Sequence, residues 1–74
     1  MNRSPFFVKD QWTQTLGDGR EVTYTYGRML CGLASARAWV EGSRILHVRN
    51  NLRESLRRHQ VEALFRSELT EVAA

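Results

Sequence analysis

The sequence predicts an α+β domain, a small antiparallel β-sheet packed against a long C-terminal helix. Three observations carry that expectation. Between Gln11 and Tyr26 apolar residues alternate with threonines on either side of Gly17-Asp18-Gly19, the patterning of a hairpin. Between Asn51 and Val72 the stretch NLRESLRRHQVEALFRSELTEV is long, charged and helically periodic. The chain has 74 residues, 42% of them hydrophobic and 26% charged, which suits one folded domain whose core supplies only a few kcal/mol of net stability.

Taken in order, residues 1–5 read as a frayed terminus, with Pro5 setting an extended lead-in to Phe6, Phe7 and Val8. Adjacent phenylalanines in a strand place one ring on each face, so one is expected to be poorly buried. Core packing is their expected use, and a partner-binding arm is the other. In the hairpin, a loop ending in Gly19 fits a type I turn with a G1 bulge and pairs Leu16 with Arg20, Gln14 with Val22 and Trp12 with Tyr24. That register gathers Trp12, Leu16, Val22 and Tyr24 on one face. The other carries four threonines, either solvent-facing or a flat hydrogen-bonding surface. Gly-Asp-Gly is turn chemistry here, since the helix and lysine of a phosphate loop do not follow it.

From Arg28 to Val40 the residues Met29, Leu33, Ala36 and Val40 recur at spacings of four, three and four, which predicts a second helix stopping at Gly42. Gly32 weighs against it. The competing reading makes Ala38 to Val48 a second hairpin turning at Gly42-Ser43. Arg44 to Arg49 then reads as a third strand, on the apolar and β-branched content of Ile45, Leu46 and Val48.

The C-terminal helix is expected to start at Asn51, a good N-cap, with Glu54 at the capping-box position. Glu54, Arg58, Glu62 and Arg66 follow at four-residue steps and make its surface soluble. Two features are odd. Arg53, Arg57 and Arg58 crowd the start while Glu68 and Glu71 sit near the end, against the macrodipole at a cost of roughly 0.3–1 kcal/mol per charge. Leu52, Leu56 and Ala63 share one side, whereas Val61, Phe65, Leu69 and Val72 lie nearly opposite. A break near residues 58–60 would let both stripes pack on one core; otherwise the Phe65 side is left for another protein.

Composition limits the chemistry. Of eleven basic residues ten are arginine and only Lys9 is lysine, and the net charge is +3. Guanidinium forks bind carboxylate and phosphate bidentately and stack on rings, so the arginine bias says more than the net charge. A single cysteine, Cys31, excludes an internal disulfide framework, and the Cys and His count does not supply a structural zinc site. Cys31 beside Leu30 and Leu33 reads as a small core residue, and His47 and His59 as ordinary polar residues. No catalytic group, metal or cofactor is implied. The apolar run Pro5 to Val8 is too short for a signal peptide and no segment is long enough to span a membrane, which leaves a cytoplasmic location as the expectation.

The stronger signal is the basic run Arg44, Arg49, Arg53, Arg57 and Arg58, set against one acid, Glu54, while the chain beyond Gln60 is acidic. With Phe65 and Leu69 as an apolar centre, these residues form the expected partner-binding set, because protein interfaces enrich arginine and aromatics around apolar patches. A small nucleic-acid-binding repressor using the same arginines is the alternative. Lysine is nearly absent, however, and the aromatics are not interleaved with the arginines. A structural homodimer ranks below both, and a monomer is expected.

The opening NRSPFFVKDQW, the stretch RNNLRESLRRHQVEALF and the length and basic balance resemble the small transcription regulators of lytic Xanthomonas phages. The likeness runs along the whole chain without a motif that transfers functional positions residue by residue. It implies a non-enzymatic protein of the bacterial host cytoplasm that binds the N-terminal part of the β′ subunit of RNA polymerase, displaces σ factor from host promoters and acts as an antiterminator. Little direct contact with nucleic acid is implied.

Overall fold

In the computed structural model, which describes residues 6–30, 32–52 and 55–73 with side chains as far as Leu69, the chain runs β1 (Phe6–Thr15), β2 (Glu21–Met29), β3 (Ala34–Val40), β4 (Leu46–Leu52) and α1 (Arg58–Ala73). The strands form one antiparallel sheet in the order β1-β2-β3-β4. The first hairpin has the register its alternation predicts, with Trp12 opposite Tyr24 and Gln14 opposite Val22. Its turn closes by Gly19 N–H to Leu16 O at 2.9 Å and Leu16 N–H to Arg20 O at 2.7 Å. Gly19 has φ 92°, the left-handed conformation a G1 bulge asks of its glycine. A second bulge, at Lys9, lies where the register shifts between Val8 and Asp10. Below it Phe6 is half-buried and Phe7 is 57% exposed, the split expected of adjacent rings.

The helix expected over residues 28–40 does not form. Those residues finish β2, turn, and become β3, and the turn repeats the first hairpin's device: Gly32 N–H to Met29 O at 2.9 Å, Met29 N–H to Leu33 O at 2.8 Å, and Gly32 at φ 94°. The glycine that weakened a helix is the glycine a hairpin needs. In β3 the inward residues are Ala36, Ala38 and Val40, spaced by two, and the alanines are fully buried in the cluster that holds Tyr24 and Phe65. Small side chains there leave room for a helix over the strand, at the expense of a recognisable strand signature. β3 turns into β4 at Gly42, φ 85°, with Ser43 N–H bonded to Val40 O. This is the second hairpin that competed with the helix.

Asn51 does not cap a helix. It belongs to β4, at the register shift opposite Ala34 to Ala36, and has φ 61°, a conformation asparagine tolerates better than most residues. The helix begins at Arg58 instead, where Arg57 O accepts from Gln60 N–H and Val61 N–H, both at 3.0 Å. Gln60 Oε1 accepts from Arg57 N–H at 2.8 Å, the reciprocal half of a capping box, built six residues later than expected and with glutamine in the acceptor role. Glu54 and Arg53 lie outside the described residues.

Because strand and helix are separate elements, Leu52 and Leu56 reach the same core as Val61, Phe65 and Leu69, while Ala63 is exposed. Val61, Phe65 and Leu69 of α1 meet Val22, Tyr24, Tyr26, Ala36, Ala38 and Val40 of the sheet, and Leu52 and Leu56 pack against the same cluster. Burying a side chain of this size is worth roughly 1.5–3 kcal/mol, so the stripe attaches a helix that would be marginal alone. Leu56 N–H is tied to the Tyr26 hydroxyl at 3.1 Å, fixing the linker to the sheet before the helix starts.

Candidate partner-binding surfaces

The residues of the expected partner-binding set are dispersed. Phe65 (0% exposed) and Leu69 (4%) are core residues, so their assignment to a partner is corrected: the stripe is covered by the chain's own sheet. Arg58 lies at the β1 edge, where its Nε and Nη2 each donate to Asp10 at 2.9 Å and its guanidinium stands 5.1 Å from the Trp12 ring centre. Hydrogen bonds from Arg58 hold the Asp10 carboxyl below its ordinary 3.8, against a smaller opposing effect of desolvation. Arg49 lies on β4, the opposite edge, ion-paired to Glu68 with its guanidinium 5.4 Å from the Phe65 ring centre. Three strand spacings, roughly 14 Å, separate those edges. Arg58 and Arg49 therefore tie opposite edges of the sheet to the helix. His47 Nδ1 stands 2.9 Å from the other Glu68 carboxylate oxygen, Oε2.

Arg44 and Arg57 remain exposed, with no ion pair among the described residues, while Arg53 lies outside them. Cys31, expected as a core residue, also lies outside the described residues. His59 is exposed on the helix. Among the described residues no group of three or more His, Cys, Asp or Glu side chains could hold a metal, and no helix is long and apolar enough to cross a membrane.

A cleft of about 320 Å³ opens between α1 and the first hairpin, lined by Tyr24, Leu16, Leu69, Arg20, Glu62 and Arg66 among others. Its polar groups are largely engaged with one another. Trp12 Nε1 donates to Glu62 at 2.9 Å, the Tyr24 hydroxyl donates to Gln14 at 2.8 Å, and Arg20 donates to Asp18 at 2.6 Å and to Leu69 O at 3.2 Å. Burial pushes the Tyr24 phenol above its ordinary 10.0, helped by Glu62 and opposed by Arg66.

Two surfaces of the sheet lie outside the expected partner-binding set: the threonine face of the first hairpin, expected as solvent-facing or hydrogen-bonding, and the β3–β4 end, which the sequence did not single out beyond Arg44. α1 covers one face and leaves the other open. Cross-strand register orders the open face into rows, Thr13-Thr23-Trp39-Leu46 followed by Gln11-Thr25-Arg37-Val48. The Arg37 guanidinium stands 4.1 Å from the Phe6 ring centre, and its Nε is enclosed without a hydrogen-bond partner. At the β3–β4 end Ile45 (59% exposed) and Leu46 (52%) stand beside exposed Arg44. Ser43 braces this turn: its carbonyl accepts from Trp39 Nε1 at 2.9 Å and its hydroxyl from Ile45 N–H at 3.0 Å. Trp39 and Leu46 flank Gly42-Ser43 at strand spacing, the signal that could have found this surface.

Fold and surfaces together define a four-stranded antiparallel sheet with one helix packed on one face and an open face opposite. No family model matches the chain, and no match is found among curated proteins or solved structures.

Proposed function

We propose that this chain is a non-enzymatic regulator that binds bacterial RNA polymerase at the N-terminal part of the β′ subunit, inhibits initiation by displacing σ factor, and has antitermination as a further activity. The polymerase assignment rests on the resemblance of NRSPFFVKDQW and RNNLRESLRRHQVEALF to the phage regulators. The structural observation that favours a protein partner is the exposed apolar pair Ile45 and Leu46 next to Arg44, on a turn whose backbone is braced from both sides. Apolar anchors beside an arginine on a rigid element are what protein interfaces select. The arginine run is a poorer phosphate track than its sequence suggests, because Arg49 and Arg58 are committed to Glu68 and Asp10 on opposite edges.

Transcription from a σ-dependent promoter, with the protein added before polymerase meets DNA, tests the proposal. Inhibition is expected from protein that shows little affinity for the promoter fragment alone, and an Arg44→Ala, Ile45→Ser double variant that still folds should lose most of it. Undiminished transcription would refute the polymerase assignment. Tight, steeply salt-dependent binding to the DNA fragment without polymerase would point to the repressor instead.

A further inference from the structure

We propose that the open face of the sheet binds single-stranded RNA, with the Trp39 ring as a stacking platform and the Arg37 guanidinium as the central cationic contact. This goes beyond the polymerase contact and does not depend on it. Three observations carry it.

The first is the inventory of the two central rows. Thr13 and Thr23 supply hydroxyls that both donate and accept, Gln11 and Thr25 keep the donor and acceptor sites left over from the 3.0 Å Gln11 Nε2–H to Thr25 Oγ1 bond, and Trp39, 39% exposed, supplies an aromatic ring. Single-stranded RNA offers the complement: unstacked bases, exposed base edges and 2′-hydroxyls.

The second is charge. Arg37 is the only ionisable side chain in those rows, and no acid accompanies it there. Exposed Arg44, in the β3–β4 turn, adds positive charge at one margin. Glu21, opposite Thr15, lies one row beyond Thr23, at the Gly42 end of the face. A phosphate crossing the centre of the sheet therefore meets a cation first.

The third is preorganisation. Arg37 lies against the Phe6 ring, with no hydrogen bond to a protein acceptor among those of the described residues and with Nε enclosed. A guanidinium held in place by a ring loses less side-chain freedom when its remaining donors meet phosphate or a base edge. Arg49 and Arg58 are committed to carboxylates, and Arg44 and Arg57 have no ring contact among those of the described residues; the Phe6 ring is what singles Arg37 out. Four strands span roughly 14 Å between the outer two, room for two or three stacked nucleotides, which is what a four-stranded RNA-binding sheet accommodates.

The chain carries its own control, because its two tryptophans lie on opposite faces: Trp39 on the open side, Trp12 against α1 with its indole N–H on Glu62. The experiment is an NMR titration of the ¹⁵N-labelled full chain with a short oligouridine at low salt, following both indole N–H signals, alongside fluorescence anisotropy with the same oligonucleotide labelled. The Trp39 signal is expected to move with the threonine-face amides while Trp12 stays. Trp39→Ala and Arg37→Gln should each weaken binding about tenfold or more, and added salt should weaken it further. The wild-type titration reads the face directly if either variant fails to fold. No binding at low salt, movement of Trp12 without Trp39, or variants that bind as wild type would overturn the proposal. Equal affinity for the matching single-stranded DNA would overturn the commitment to RNA. Loss of polymerase inhibition in Trp39→Ala without any oligonucleotide binding would give the face to a protein.

Discussion

Replacing Phe65 by alanine separates the two uses to which its stripe could be put. The ring is fully buried, 6.3 Å from the Tyr24 ring between centres, with Arg49 closing it from the β4 side. Truncating a buried phenylalanine costs about 3–5 kcal/mol, counting lost transfer energy and the cavity left behind. At ~0.05–0.15 kcal/mol per residue, a chain of this length has roughly 4–11 kcal/mol in total, so the substitution removes at least a quarter of it and, at the lower end of that range, all of it. The melting temperature should fall by about 12 °C or more. Urea unfolding followed by tryptophan fluorescence is a suitable assay, because Trp12 stacks on Tyr24 at 5.4 Å and so reports on the same cluster. Ile45→Ala serves as the control: a side chain 59% exposed should change stability by no more than about 0.5 kcal/mol. If both variants unfold at the wild-type midpoint, Phe65 is not a core residue and the packing of α1 on this sheet is wrong.

Arg57 and Arg58, adjacent in sequence, should behave oppositely. Arg57→Ala removes a charge with no ion pair among the described residues from the unfavourable end of the helix dipole and should leave stability unchanged or raise it by up to about 1 kcal/mol, whereas Arg58→Ala breaks the Asp10 pair and uncovers Trp12, lowering the denaturation midpoint. Equal effects would count against the pairing. Gly27→Ala would place its Cβ 2.2 Å from Phe7 O, well inside ordinary contact, so β1 must shift. A loss of about 2 kcal/mol or more, with faster amide exchange at Phe6 to Val8, is expected, and unaltered exchange there would contradict the close approach. Finally, a phenol whose folded pKa is raised stabilises the fold fully below pH 10.0 and loses that contribution as pH rises through the folded value. Stability should fall above about pH 10 in the wild type and less steeply in Tyr24→Phe; parallel pH profiles would argue against a buried phenol.

Where the sequence was legible, one physical signal acted alone. The Gln11–Tyr26 hairpin alternates strictly and turns on a glycine with nothing competing, and its register follows. Residues 28–40 misled because the alanines at 36 and 38 carry no strand preference, and Met29, Leu33, Ala36 and Val40 fall by coincidence at helical spacing. Gly32 was the discriminating residue, standing where Gly19 stands in the first turn. Asn51 has the chemistry of a cap and of a left-handed bulge alike, and only the strand pairing of β4 decides between them. Arg44 to Arg58 formed a cluster along the chain, yet Arg49 and Arg58 stand at opposite edges of the sheet. Register, which sets Thr23 beside Trp39 and Thr25 beside Arg37, is a tertiary property.

Under the proposed function, the chain would meet polymerase through the end of the sheet near Arg44, Ile45 and Leu46 and keep the α1 stripe for its own core. Hydrogen exchange of the protein, with and without bacterial RNA polymerase at saturating concentration, measures this most directly. The prediction is a complex in which amides from about Trp39 to Val48 gain protection while those of α1 exchange as in the free chain. A failure to form the complex, or protection centred on α1 with Arg44 to Leu46 unchanged, would contradict the account.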